Sequence, residues 1–219
     1  MNAYPNDQFP DLLSDLGNFS EKVNALYLQA IDDYHVFNSI DAPISNPYQA
    51  GLEQVLYQKC WIDTVQWHVE DEVRRPDITG NDALLMKRRI DALNQERTNQ
   101  VELIDNYLLM KYRDVQLYPN ARINTESPAW ALDRLSILAL KIYHMAIETK
   151  RDDASPEHVF TCAGKLAVLY EQRDDILKSI NELLQDISSG QKCMKVYRQM
   201  KMYNDPNLNP VLYQRTSKL

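Results

Sequence analysis

Residues 128–147, "PAWALDRLSILALKIYHMAI", decide the fold. At 3.6 residues per turn the apolar side chains fall on nearly every side, the pattern of a helix enclosed by other helices rather than laid on a surface. Ser127-Pro128 marks its start, a capping residue followed by proline at the first helical position. Yet the same stretch carries Asp133, Arg134, Ser136, Lys141 and His144. Two i+4 steps separate Asp133 from Lys141, so both can share one side with His144. A central helix with ionisable side chains requires neighbours that answer its charges.

Those neighbours are legible on either side. "SEKVNALYLQAIDDYHVF" (20–37) places Val23, Leu26, Tyr27, Ile31 and Tyr34 at helical spacing behind Ser20, a candidate cap. Asn46-Pro47 predicts the start of a second long helix running to about Arg75, which "PDITGN" (76–81) stops. A third helix is expected over about Asp82–Arg113, followed by the irregular "QLYPNARINTE" (116–126). Beyond the fourth helix, Ser155-Pro156-Glu157 opens a fifth that runs to Ser188, with Gly190 ending it. The segment from Lys192 begins as if helical, but "YNDPNLNP" (203–210) reads as turn and extended chain. The expected fold is all-α: a bundle of about five long helices with a partly extended C-terminal tail. One helical domain spans 1–219, with an N-terminal arm over 1–18 and a basic tail over 191–219 packing on the bundle.

Composition agrees with this class. Only 5 glycines against 10 prolines, with 44% hydrophobic and 25% charged residues, suit a soluble helical protein rather than a sheet with many tight turns. No apolar run is long enough to insert in a membrane, and the start lacks the basic-then-apolar pattern of a secretory signal. Three widely spaced cysteines without a CxxC motif read as reduced thiols, so a cytoplasmic location is expected. The net charge of −7 argues against nucleic acid as a partner. The tail runs the other way: Lys192, Lys195, Arg198, Lys201, Arg215 and Lys218 face one acid, Asp205. It can fold back on an acidic body or dock an anionic partner.

The charges of the helices carry the functional reading. At ~100° per residue, Lys59, Asp63, Gln66, Glu70 and Arg74 form one stripe flanked by Val55, Ile62, Val69 and Val73 on one side and by Leu56, Cys60 and Trp67 on the other. Glu70 and Arg74, within "WHVEDEVRR" (67–75), are therefore expected to look inward. Arg97 sits in the apolar stripe of the third helix among Met86, Ile90, Leu93, Val101, Ile104 and Leu108. Arg173 takes an apolar slot in the near-heptad run of the fifth helix. A buried charge without its partner costs on the order of 3–5 kcal/mol, so these groups must meet in a network. Five cations (Lys59, Arg74, Arg97, Lys141, Arg173) against three anions (Asp63, Glu70, Asp133) leave a surplus suited to an anionic ligand. Two readings stand side by side, a network that only fixes helix register and a pocket that binds something.

Other chemistries find little support. A di-iron centre needs paired E-x-x-H motifs, whereas the chain offers a single Asp32-x-x-His35. His68 and His144 read as core or cleft histidines, not as metal ligands. There is no nucleophile elbow and no glycine-rich phosphate loop.

Three stretches bear a resemblance. "WHVEDEVRRPD" (67–77), "NTESPAWALDRLSILALKIYHM" (124–145) and "KVYRQMKMYNDPNLNP" (195–210), with "YEQRDDILKSINELLQDI" (170–187) between the last two, are similar to an uncharacterised bacterial all-helical family, domain of unknown function family 4254. The resemblance covers about residues 45–213. A second uncharacterised family is similar in W-x-x-E-D-x-x-R and D-[RK]-x-x-I-L-x-x-K, here Trp67, Glu70, Asp71 and Arg74, and Asp133, Arg134, Ile137, Leu138 and Lys141. The resemblance implies an intracellular bacterial protein, encoded near glycosyltransferases for surface polysaccharide. It carries over no catalytic residue.

Together these lines predict a charged cleft that binds or acts on a phosphorylated sugar or nucleotide-sugar. Glu70 and Asp133 are the candidate catalytic carboxylates, with the chemistry for an acid–base pair or, with Asp63, for holding Mg2+. Glu126, Arg74, Arg97, Arg134, Lys141 and Arg173 are the candidate ligand-binding residues, and Tyr197, Arg198 and Lys201 are expected to close over the cleft from the tail. No motif requires a cofactor. The alternative is a non-catalytic adaptor for a glycosyltransferase, its inner charges purely structural.

Overall fold

The computed structural model describes residues 12–200, 202 and 205–216. Five long helices, α1 (Phe19–Phe37), α2 (Gly51–Glu72), α3 (Gly80–Tyr112), α4 (Pro128–Glu148) and α5 (Pro156–Ser188), make the bundle. The short α6 (Pro210–Thr216) follows, and a one-turn 3-10 segment, Leu12–Ser14, precedes them. The first eleven residues of the expected N-terminal arm lie outside the described residues. As the sequence predicts, α4 is central, packing against α1, α2, α3 and α5. Its Leu132, Leu135, Ala139 and Leu140 join Val23, Tyr27, Leu56, Cys60, Val101, Ile104 and Ile180 in one contiguous apolar cluster.

Helix starts show where local signals win and where tertiary contacts take over. Thr79 and Ser155 accept from the backbone N–H of Asp82 and His158, so α3 and α5 begin on ordinary side-chain caps. Ser20 is not the cap of α1. The helix starts one residue earlier, and buried Ser20 donates its N–H to Asn181 Oδ1 at 2.9 Å and its hydroxyl to the Leu177 carbonyl at 2.8 Å. One orphan backbone donor of α1 is thus answered by α5. Likewise α2 starts at Gly51 and not at Pro47. Asn46 accepts from Tyr48 N–H and donates to the Gln54 carbonyl, closing a turn ahead of the helix. α2 also ends at Glu72, before Arg75.

At the start of α4 the Ser127 hydroxyl donates to Asp105 Oδ2 of α3 at 2.7 Å, and Asp105 Oδ1 accepts from Ala129 N–H at 3.4 Å. A buried carboxylate from a neighbouring helix therefore serves as the cap, at the end where the helix dipole favours negative charge. Burial nevertheless raises the Asp105 carboxyl, with Ser127 opposing it.

The tail departs from expectation. Lys192–Cys193 (β2) pairs in parallel with Arg122–Ile123 (β1), and residues 194–200 form neither helix nor strand. A two-residue ladder has no periodicity for a sequence reading to detect. α6 begins where Asn209 Oδ1 accepts from Val211 N–H ahead of Pro210, a cap-and-proline start that the turn assignment over 203–210 passes over. Gly190 positions β2. Its φ is +78°, and a Cβ there would lie 2.2 Å from the Gln116 carbonyl oxygen. Gly190→Ala combines left-handed strain with that clash, so a loss of about 2 kcal/mol or more is expected, read from the urea midpoint.

Candidate functional site

The centre of the bundle holds a ring of four charges. Lys59 of α2 is fully buried, and its ammonium meets Asp63 Oδ2 one turn on, Asp133 Oδ1 at 2.9 Å and the Asp133 backbone carbonyl at 3.2 Å. Three acceptors match the three donors of a lysine. Arg97 of α3 grips Asp133 with both prongs of its guanidinium, Nε donating to Oδ1 at 2.7 Å and Nη2 to Oδ2. Arg97 Nε also lies 3.6 Å from Asp63 Oδ1, which closes the ring. Ser136 of α4 donates its hydroxyl to Asp63 Oδ2. Asp63 Oδ1 is the one carboxylate oxygen of the ring without a hydrogen-bond donor among the described residues.

The two carboxylates are held differently. Burial alone would raise Asp133, but the Arg97 guanidinium and the Lys59 ammonium outweigh it and keep its carboxyl below the ordinary aspartate range. Asp63 is completely buried; that desolvation and the Asp133 charge push its carboxyl up against the pull of Lys59. Arg97 rises in turn through its bonds to Asp133.

This ring is smaller than the expected network. Two cations and two anions cancel inside the bundle, so the predicted cationic surplus of five against three is not an interior property. The stripe on α2 looks inward at Lys59 and Asp63 and then surfaces. Glu70 pairs with Arg74 at 2.7 Å, where the Arg74 side chain is 66% exposed. The expectation that both look inward fails for Arg74, which lies past the end of α2 at Glu72, whereas Glu70 stays half-covered on the rim of a hollow beside Asp63. Arg173 does not join the ring either. It pairs with Asp174 and lies over the Tyr170 ring. Apart from Cys162, the buried residues of α5 begin at Leu177, so the near-heptad slot at 173 lies on a half-covered stretch of helix.

Two hollows flank Arg97. The first, about 270 Å³, has Arg97 and Asp133 as its floor and Glu126, Trp130, Arg134 and Lys141 on its walls. The second, about 290 Å³, is bounded by Asp63, Trp67, Glu70, Asp71 and Arg74. Their charges differ in sign. Three cations meet two carboxylates in the first, whereas three carboxylates meet Arg74 and Arg97 in the second. Lys141 is exposed and makes no ion pair among the described residues, and Arg134 makes only a 3.4 Å contact with Glu126. Trp130 and Glu126 also border a third hollow that the tail reaches through Lys195 and Tyr197. Arg198 points elsewhere, pairing with Glu102 and Asn106 of α3, and Lys201 lies outside the described residues. The sequence reading misses Asp105 as a buried cap, although its place beside Ile104 in the apolar stripe of α3 was the available signal.

A family model described as "Protein of unknown function (DUF4254)" matches residues 53–196. The chain belongs to this family. The matched stretch runs from α2 to β2 and contains the whole charged ring and the walls of both hollows. Comparison with curated proteins and with solved structures finds no match. Among the described residues, no helix is long and apolar enough to cross a membrane.

Proposed function

We propose that this protein binds a phosphorylated sugar or nucleotide-sugar in the hollow lined by α3, α4 and α5, as a cytoplasmic component of surface glycan assembly. The observation that carries the reading is Lys141: an exposed cation beside Arg134, with no counter-ion among the described residues. A phosphate supplies the missing charge, and arginine beside lysine offers both a planar fork and a point charge to its oxygens. Trp130 and Ile137 give the same hollow an apolar wall for the rest of the ligand. Asp133 and Arg97 form the floor. With its carboxyl occupied by two cations, Asp133 is suited to orienting Arg97 rather than to exchanging protons. Glu70, at the second hollow, is the carboxylate still open to acid–base work or to a Mg2+ ion, beside Asp71.

A thermal-shift or calorimetric screen of sugar phosphates and nucleotide-sugars tests this. A hit is expected whose affinity falls by about tenfold or more in Lys141→Ala and in Arg134→Ala. Neither residue is buried, so the melting temperature of the free protein should hardly move. Absence of any hit across the screen counts against the proposal.

A second reading has its own support. The tail exposes Tyr197, Met200, Met202, Leu208, Val211 and Leu212, a run of large apolar side chains that a partner such as a glycosyltransferase could cover. In that case truncation after Val196 removes co-purification with the partner and leaves ligand responses unchanged.

A further inference from the structure

Beside Trp67, which stacks on His144, three of the four histidines of the chain converge from three helices. His35 comes from α1, His68 from α2 and His144 from α4, and one ring nitrogen of each lies within 4.8 Å of the other two. We propose that His35, His68 and His144 form a binding site for a divalent transition-metal ion of the zinc class, with a fourth position left to water or another ligand.

The argument runs through the ring nitrogens. His35 Nδ1 lies 2.7 Å from the Ile31 carbonyl, which can only accept, so Nδ1 carries the proton. In the neutral ring Nε2 is then the nitrogen with the free lone pair, and it faces His68. Metal-ligating histidines are held in this way, their other nitrogen donating to a backbone carbonyl that fixes ring and tautomer. His68 Nε2 lies 3.2 Å from His35 Nε2. Two nitrogens bound to one tetrahedral zinc at about 2.0–2.1 Å would be about 3.3 Å apart, so this pair already spans one edge of such a site.

His144 Nε2 is buried and has no hydrogen-bond partner among the described residues. A buried ring nitrogen without a partner is costly, and a bound metal ion is a group that answers it. The rings are also fixed. His144 stacks on Trp67 with centroids 4.7 Å apart, His68 stacks on Tyr34 at 5.1 Å, and Tyr143 tilts onto His35 at 4.3 Å. A hydrogen-bonded histidine pair explains the contact between His35 and His68, but it leaves His144 unexplained.

The chain as it stands, without a histidine tag and stripped by dialysis against a chelator, is titrated with Zn2+ by calorimetry and with Co2+ by visible absorption. One equivalent should bind, with the d–d bands of four-coordinate cobalt. His144→Phe keeps the stack on Trp67 but removes the ligand nitrogen, and should weaken binding by about 100-fold or more. His158→Ala, at the exposed fourth histidine bonded to Glu148, should bind as the wild type does. Lack of saturable binding at one equivalent in the wild type overturns the site, whatever the variants do. So does binding that survives His144→Phe, or that is lost equally in His158→Ala.

Discussion

Asp133→Ala should cost the fold about 3–5 kcal/mol, the loss expected when one partner is removed from a buried ion pair. The residue is the hinge of the ring: it accepts from both prongs of Arg97 and from the Lys59 ammonium. Without it, Lys59 keeps only Asp63 as a charged partner, in a place with no access to water. Against a total stability of about 5–15 kcal/mol, such a loss brings the domain close to unfolding at room temperature. Urea denaturation at neutral pH reads it directly, as a fall in midpoint at constant slope. The double variant Lys59→Met with Asp63→Leu is the control. It removes a whole buried pair and leaves Arg97 with Asp133, so its cost should be well below the sum of the two single variants.

How far the sequence foretold this ring depends on the residue. Lys59, Asp63, Arg97 and Asp133 each stand where an apolar residue belongs in a helical stripe, and a charge in such a slot is legible without coordinates because burial is dictated by the period. The same rule misplaces Glu70, Arg74 and Arg173. Periodicity reports the face of a helix, whereas burial also depends on where along its length a neighbour stops. α2 ends at Glu72, which leaves Arg74 beyond its last turn with Glu70 on the rim of an open hollow, and α5 is well covered only from Leu177 onward. The convergence of His35, His68 and His144 was not legible either. Each alone reads as an ordinary histidine, and only the relative phase and height of α1, α2 and α4 bring them together. Ser20 and Asn46 show the same limit at helix ends, where partners distant in sequence or in the turn decide the first residue.

Lys59→Met should be comparably damaging at neutral pH, but with a different dependence on acid. Removing the ammonium leaves Asp63 and Asp133 facing each other, one of them gripped by Arg97. Burial already holds the Asp63 carboxyl above its ordinary value of 3.8, and without Lys59 it must rise further. A carboxyl raised in the folded state binds protons more readily there than in the unfolded chain. Its favourable contribution is thus full below 3.8 and is lost as the pH climbs through the folded value. The deficit of Lys59→Met relative to the wild type should therefore shrink as the pH is lowered toward 3.8 from above. Asp133 has the opposite sign. Its lowered carboxyl stabilises the wild type above 3.8, and that contribution disappears only as the pH falls below this value. The Asp133→Ala deficit should accordingly hold nearly constant down to about pH 4 and close only beneath it. Denaturation midpoints of the wild type and the two variants at a series of acid pH values separate the cases. Parallel curves for the two variants would mean that the two carboxylates share one titration and that the ring does not distinguish them.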